Sequence, residues 1–194
     1  MPKRRELRVT RPDGVEIAAC IEGQGPPLAL VHGVGADLGS WDRIAERLTS
    51  RFTVIRADLR GHGRSSRIET CRMADFVGDL TATLDAFGAA SVDLVGFSLG
   101  GLIAQWFVLE HPDRVDRLAL ISTVAERTAA ERARVLERAD KVREEGIASV
   151  VSAAEDRWFT PAFKAANPDK VALDRKSTRL NSSHIPLSRM PSSA

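Results

Sequence analysis

Apolar and polar positions along the chain fall into short runs that switch between two periods. Leu7–Thr10 and Val15–Ala19 alternate as half-buried antiparallel strands do, and Asp13-Gly14 between them is a hairpin signal. Leu28-Ala29-Leu30-Val31 is apolar throughout, as is Val92–Val95 apart from Asp93; both suit strands buried on two faces. Phe52–Arg56 and Arg117–Ile121 read as two further strands. Met73–Phe87 changes period: Phe76, Leu80, Leu84 and Phe87 share one helical face. Helical patterns also cover Ser40–Leu48, Leu102–Glu110, Thr128–Glu145 (heavily charged) and, past Gly146, Ile147–Phe159. Strands separated by helices predict βαβ units, hence an α/β fold with a mostly parallel, doubly wound sheet.

Between the strand ending near Val95 and the helix from Leu102 lies Gly96-Phe97-Ser98-Leu99-Gly100, followed by Gly101. A serine on such a strand-to-helix corner is exposed on a strained turn, and Gly96 and Gly100 leave the space that a Cβ would fill. The helix behind it aims free N–H groups at any negative charge that forms there. Ser98 is therefore the candidate nucleophile. A plain glycine-rich turn is the bland alternative.

Composition narrows the class. The chain has 194 residues, 43% hydrophobic and 28% charged, as a soluble single domain would. No signal sequence or membrane span is expected, and Cys20 and Cys71 show no metal or C-x-x-C spacing, so a cytoplasmic protein with reduced thiols is predicted. Residues 174–194 show no periodicity and, written back into codons, resemble a translated sequencing adapter. They are expected to be a non-native, disordered tail. Without their four cations and one anion, 24 basic and 25 acidic residues remain, a formal net charge of −1. Neither nucleic acid nor membrane is an expected partner, and oligomeric state is open.

Three motifs in order carry a family resemblance: His32-Gly33 after one strand, Asp58-x-Arg60-Gly61-His62-Gly63-x-Ser65 after the next, and the elbow at Ser98. Together they resemble the α/β-hydrolase superfamily over residues 7–173. Gly100–Trp106 and Arg157–Phe163 look like the 3-oxoadipate enol-lactonase group. Residues 1–173 would then be a C-terminally truncated α/β-hydrolase domain, with a lid region from about residue 124.

The resemblance implies a cofactor-independent, metal-free serine hydrolase of small carboxylic esters or lactones. It assigns the oxyanion donors to the backbone N–H groups of Val34 and Leu99, and loop-shaping roles to His32 and Gly33. His62 is expected to brace a loop and His111 to sit at the surface. Trp41, Gln105 and Trp106 either line a pocket or pack the core. The triad acid and histidine are expected beyond residue 173, in roughly two further βα units. Glu126 and Asp156 are weak acid candidates, and His184 lies in the adapter-like tail. Alternatives are a general esterase, a cofactor-free haloperoxidase-like enzyme, or a non-catalytic small-molecule binder.

Overall fold

The computed structural model describes residues 4–146, 149, 155–156 and 158–172. The tail from 174 and most of the helix expected over 147–159 lie outside the described residues.

Six strands form one sheet: β1 (Arg5–Thr10), β2 (Glu16–Gly23), β3 (Pro27–Val31), β4 (Thr53–Ala57), β5 (Val92–Phe97) and β6 (Val115–Ile121). Their order is β1-β2-β4-β3-β5-β6. β1 and β2 pair antiparallel, as does β2 with β4; β4, β3, β5 and β6 run parallel. The parallel strands therefore all deliver their C-terminal ends to one side, where ligand sites of open α/β sheets gather.

The helices are α1 (Asp42–Leu48), α2 (Met73–Ala86), α3 (Leu99–Glu110), α4 (Ala129–Glu145) and α5 (Pro161–Ala166). The single helix expected from Ser40 is divided, with a 3-10 turn over Leu38–Trp41 ahead of α1. Asp37 starts that turn by accepting the Gly39 N–H at 2.9 Å. α3 begins three residues earlier than its apolar pattern, because Gly100 and Gly101 are helical despite their low propensity.

The larger core lies between the sheet and α2 and α3. Leu84, Val92, Leu94, Ile103 and Phe107 are fully buried there, each worth about 1.5–3 kcal/mol in removal from water. On the opposite face a smaller cluster joins Leu28, Leu30, Trp41, Ala45 and Val54. Arg56 on β4 is buried in the same region. Its guanidinium bonds Glu22, Asp42 Oδ1 at 2.6 Å and the Leu38 carbonyl at 3.1 Å, tying β2, β4 and the start of α1 together.

Candidate active site

β5 ends at Phe97 and α3 starts at Leu99, so a single residue makes the corner. Ser98 has φ 53° and ψ −113°, a conformation that costs a non-glycine residue on the order of 1–3 kcal/mol. Close packing enforces it. A Cβ on Gly96 would lie 2.3 Å from the Gly100 carbonyl oxygen, and one on Gly100 2.2 Å from the Val31 carbonyl oxygen. Only glycines let α3 approach β5 and β3 this closely. Ser98 itself donates its N–H to Ile121 O at 2.9 Å, and its carbonyl accepts from the N–H groups of Gly101 (3.0 Å) and Leu102 (3.2 Å) and from Thr123 Oγ1 (2.8 Å).

The loop after β3 passes over this corner. A Cβ on Gly33 would stand 3.1 Å from Ser98 Cβ, so the backbone there runs close over the serine and a side chain would crowd it. His32 sits beneath, fully buried. Its Nε2 accepts the Leu59 N–H at 3.0 Å, which leaves the proton on Nδ1 to donate to Gly33 O at 2.8 Å. Gly33 C=O and Val34 N–H belong to one trans peptide and point in opposite directions. Pinning the carbonyl therefore fixes the direction of the Val34 N–H. Burial pushes the His32 pKa down to about 4, so the ring is neutral and keeps this tautomer. The Leu99 N–H opens α3, has no intrahelical partner, and receives no cap from the Ser98 side chain.

The loop after β4 braces the first. Asp58, buried, accepts from Leu38 N–H at 2.7 Å and Arg64 N–H at 2.8 Å. Burial raises its pKa against the pull of those bonds. Arg60 makes two bonds of 2.7 Å to the buried Asp79 of α2, which also holds Arg11 at 3.0 Å. Burial works against the Arg60 charge, yet its bonds to Asp79 raise its pKa on balance. His62 lies edge-on to His32 with ring centroids 5.2 Å apart and bonds Arg60 O at 3.1 Å. Burial first, and His32 second, lower its pKa to about 4.

A family model for the alpha/beta hydrolase fold matches residues 26–181. The chain belongs to the α/β-hydrolase fold family. A 3-oxoadipate enol-lactonase of Acinetobacter baylyi is 31% identical over 147 residues, 75% of this chain and 54% of that protein. A pimeloyl-[acyl-carrier protein] methyl ester esterase of Chromobacterium violaceum is 46% identical over 101 residues, 52% of this chain and 38% of that protein. Among solved structures, a hydrolase from Pseudomonas aeruginosa superposes with a TM-score of 0.86 at 30% identity, over 95% of this chain and 70% of that one. The enol-lactonase from Burkholderia xenovorans gives 0.80 at 29%, over 89% and 67%. The chain thus spans about half the length or less of these two curated relatives and stands close to the enol-lactonase group.

Within this fold the other candidates are placed as follows. Trp41, 7% exposed, is packed in the smaller core with Leu28 and Val54. Trp106 packs against the larger core. Gln105 donates to Gly101 O at 3.2 Å and Val124 O at 3.1 Å, joining α3 to the loop after β6. His111 is half-buried against Phe107, ring centroids 5.1 Å apart, rather than fully at the surface. Asp156 is exposed and paired with Lys164 at 2.5 Å; Glu126 is exposed. Neither approaches a triad role by any described contact. His184 lies outside the described residues. Among the described residues no three His, Cys, Asp or Glu cluster as metal ligands, and no helix is long and apolar enough to cross a membrane.

A cavity of about 30 Å³ lies on the α2 side of the sheet, lined by Ile17, Val31, Ile55, Phe76 and Ile103 among others. It has room for about one water, and Ser98 does not line it. Sequence reasoning missed Thr123 and Ser122, although the tight Gly100-Gly101 pair was a signal that something must pack there.

Proposed function

We propose that the parent protein is a serine hydrolase of small carboxylic esters or lactones, acting through an acyl-enzyme on Ser98. The observation that carries this reading is the Ser98 corner, where φ is 53° and the Gly33 backbone closes to within a Cβ contact. Ser98 Oγ attacks the ester carbonyl while an imidazole takes its proton; the carbonyl oxygen becomes an oxyanion, and the Val34 and Leu99 N–H groups receive it. The proton passes to the leaving alkoxide, the alcohol departs, and water attacking by the reverse path frees the acid and Ser98. The substrate is a small molecule, the site needs no cofactor, and the protein works in the cytoplasm. The likeness to enol-lactonases favours a lactone, and 3-oxoadipate enol-lactone is the sharpest choice.

Among the described residues His32 and His62 are committed to the loops and His111 packs against Phe107, so this reading assigns the general base and its acid partner to the uninterrupted gene product. The 194-residue chain is accordingly expected to be inactive. The deciding experiment assays the uninterrupted product against short aryl esters and the enol-lactone, with Ser98→Ala alongside. Turnover should fall at least about a thousandfold in the variant, and the acyl group should appear on the Ser98 peptide by mass spectrometry. Saturable binding without turnover would instead favour a small-molecule binding protein. Halogenation activity that needs Ser98 would favour the haloperoxidase-like alternative.

A further inference from the structure

Among the described residues only two other than glycine have positive φ: Ser98 at 53° and Ser122 at 47°. They stand side by side, since Ser98 N–H donates to the carbonyl of Ile121, the residue before Ser122, at 2.9 Å. The left-handed turn at Ser122 brings Thr123 back over the elbow, where its Oγ1 donates to Ser98 O at 2.8 Å. The other two donors to that carbonyl, Gly101 and Leu102, come from α3 itself. Thr123 is the one that reaches in from another element. Gly101 makes its room: a Cβ there would lie 2.5 Å from Thr123 Cβ and 2.8 Å from Oγ1. Gln105 closes the same seam one turn later through Val124 O.

Ser98 C=O and Leu99 N–H belong to one trans peptide, just as Gly33 C=O and Val34 N–H do. In both, a buried or half-buried side chain donates to the carbonyl at 2.8 Å: His32 Nδ1 in one, Thr123 Oγ1 in the other. We infer that Thr123 is a positioning residue, the counterpart of His32, which holds the Ser98–Leu99 peptide so that its N–H points at the developing oxyanion. The inference rests on the hydrolase reading for its consequence in catalysis, and on this geometry alone for the held peptide.

The test compares Thr123→Val, which removes the donor at nearly constant volume, with Thr123→Ser, which keeps the hydroxyl and loses a methyl. In the uninterrupted gene product, Thr123→Val should lower kcat on aryl esters roughly tenfold to a hundredfold with KM within about twofold. Thr123→Ser should stay within about threefold of wild type in kcat, because the hydrogen bond survives. In the 194-residue chain, the Leu99 amide resonance should move in Thr123→Val and hold in Thr123→Ser. A packing role predicts the reverse order, with Thr123→Ser the poorer variant, and that order overturns the inference. If Thr123→Val does not fold, Thr123→Ala takes its place against Thr123→Ser. If the wild-type product hydrolyses nothing, the hydrolase reading fails, while the Leu99 resonance still decides whether Thr123 holds the peptide.

Discussion

Along β1, one outer edge of the sheet carries Arg5, Glu6 and Arg8, and ion pairs run from it to neighbouring segments: Arg64–Glu6 at 2.9 Å and Arg8–Glu16 at 3.7 Å. Along β6, the other edge, Leu118, Leu120 and Ile121 are 38%, 42% and 42% exposed. Charged side chains discourage a further strand from pairing, and apolar ones invite it. The strands next to these edges differ in the same sense. β2 and β4 are stitched by Arg56, and the β1–β2 hairpin is tied to α2 by Arg11 and Arg60 on Asp79. β6 makes its described side-chain bonds through Arg117 to Asp93 and Asp116 to Ser91, near its start. The elbow stands between the two halves. The loop after β3 hangs from the stitched half through the His32–Leu59 bond, and Ser98 leans on the loop that leaves the open one.

The sharpest way to break the stitched half is Asp79→Ala. Arg60, 4% exposed in its side chain, would lose both 2.7 Å bonds and keep only Asp13 at 3.1 Å. Stranding a buried guanidinium costs about 3–5 kcal/mol. Urea unfolding should show that loss as a lower midpoint with unchanged slope. A loss within about 0.5 kcal/mol, as at an ordinary surface site, would mean that Asp79 stitches nothing.

Acid should loosen the same half next. His32 and His62 have folded pKa values of about 4 against 6.5 for the free ring. The unfolded chain therefore binds more protons between those values, so stability is fully present above pH 6.5 and lost as pH falls toward 4. The full shift amounts to on the order of 3 kcal/mol for one ring. Asp58 and Asp79, raised by burial, act oppositely, favouring the fold at low pH and losing that contribution as pH rises through their folded values. The histidines prevail in the window from 6.5 to 5, and urea midpoints should decline there. A flat or rising midpoint would show that the rings are not held neutral.

These two effects mark where the sequence could be read and where it could not. The strands, α2 and the elbow were legible because periodicity and the G-x-S-x-G spacing are local properties of the chain. The parallel arrangement followed from the alternation of strand and helix. Arg56 was not legible as a buried cation, since nothing local distinguishes a strand-end arginine in solvent from one bonded to Glu22 and Asp42, 34 and 14 residues away. Trp41 is open between pocket and core for the same reason, since its place in one buried cluster with Leu28 and Val54 is set by residues distant in the chain. Thr123 is the clearest case. Its role depends on the turn at Ser122 and on the space over Gly101, neither of which a one-dimensional pattern displays.

The smallest effect is expected at the open edge, and it sharpens the contrast from the other side. Leu118 lies mid-strand on β6, with its backbone paired, among the described residues, to Leu94 of β5 on one side only. Leu118→Lys keeps an alkyl stem along the partly covered surface and puts a charge on this edge, as β1 already has on the other. Its unfolding free energy should stay within about 0.5 kcal/mol of the parent chain. Self-association measured by sedimentation should fall, because a lysine on an edge opposes pairing with a second strand. If Leu118→Lys left association unchanged while lowering stability by about 2 kcal/mol or more, Leu118 would be part of the core, as such losses belong to buried sites. β6 would then be no more open than β1, and the difference between the edges would lie in charge alone.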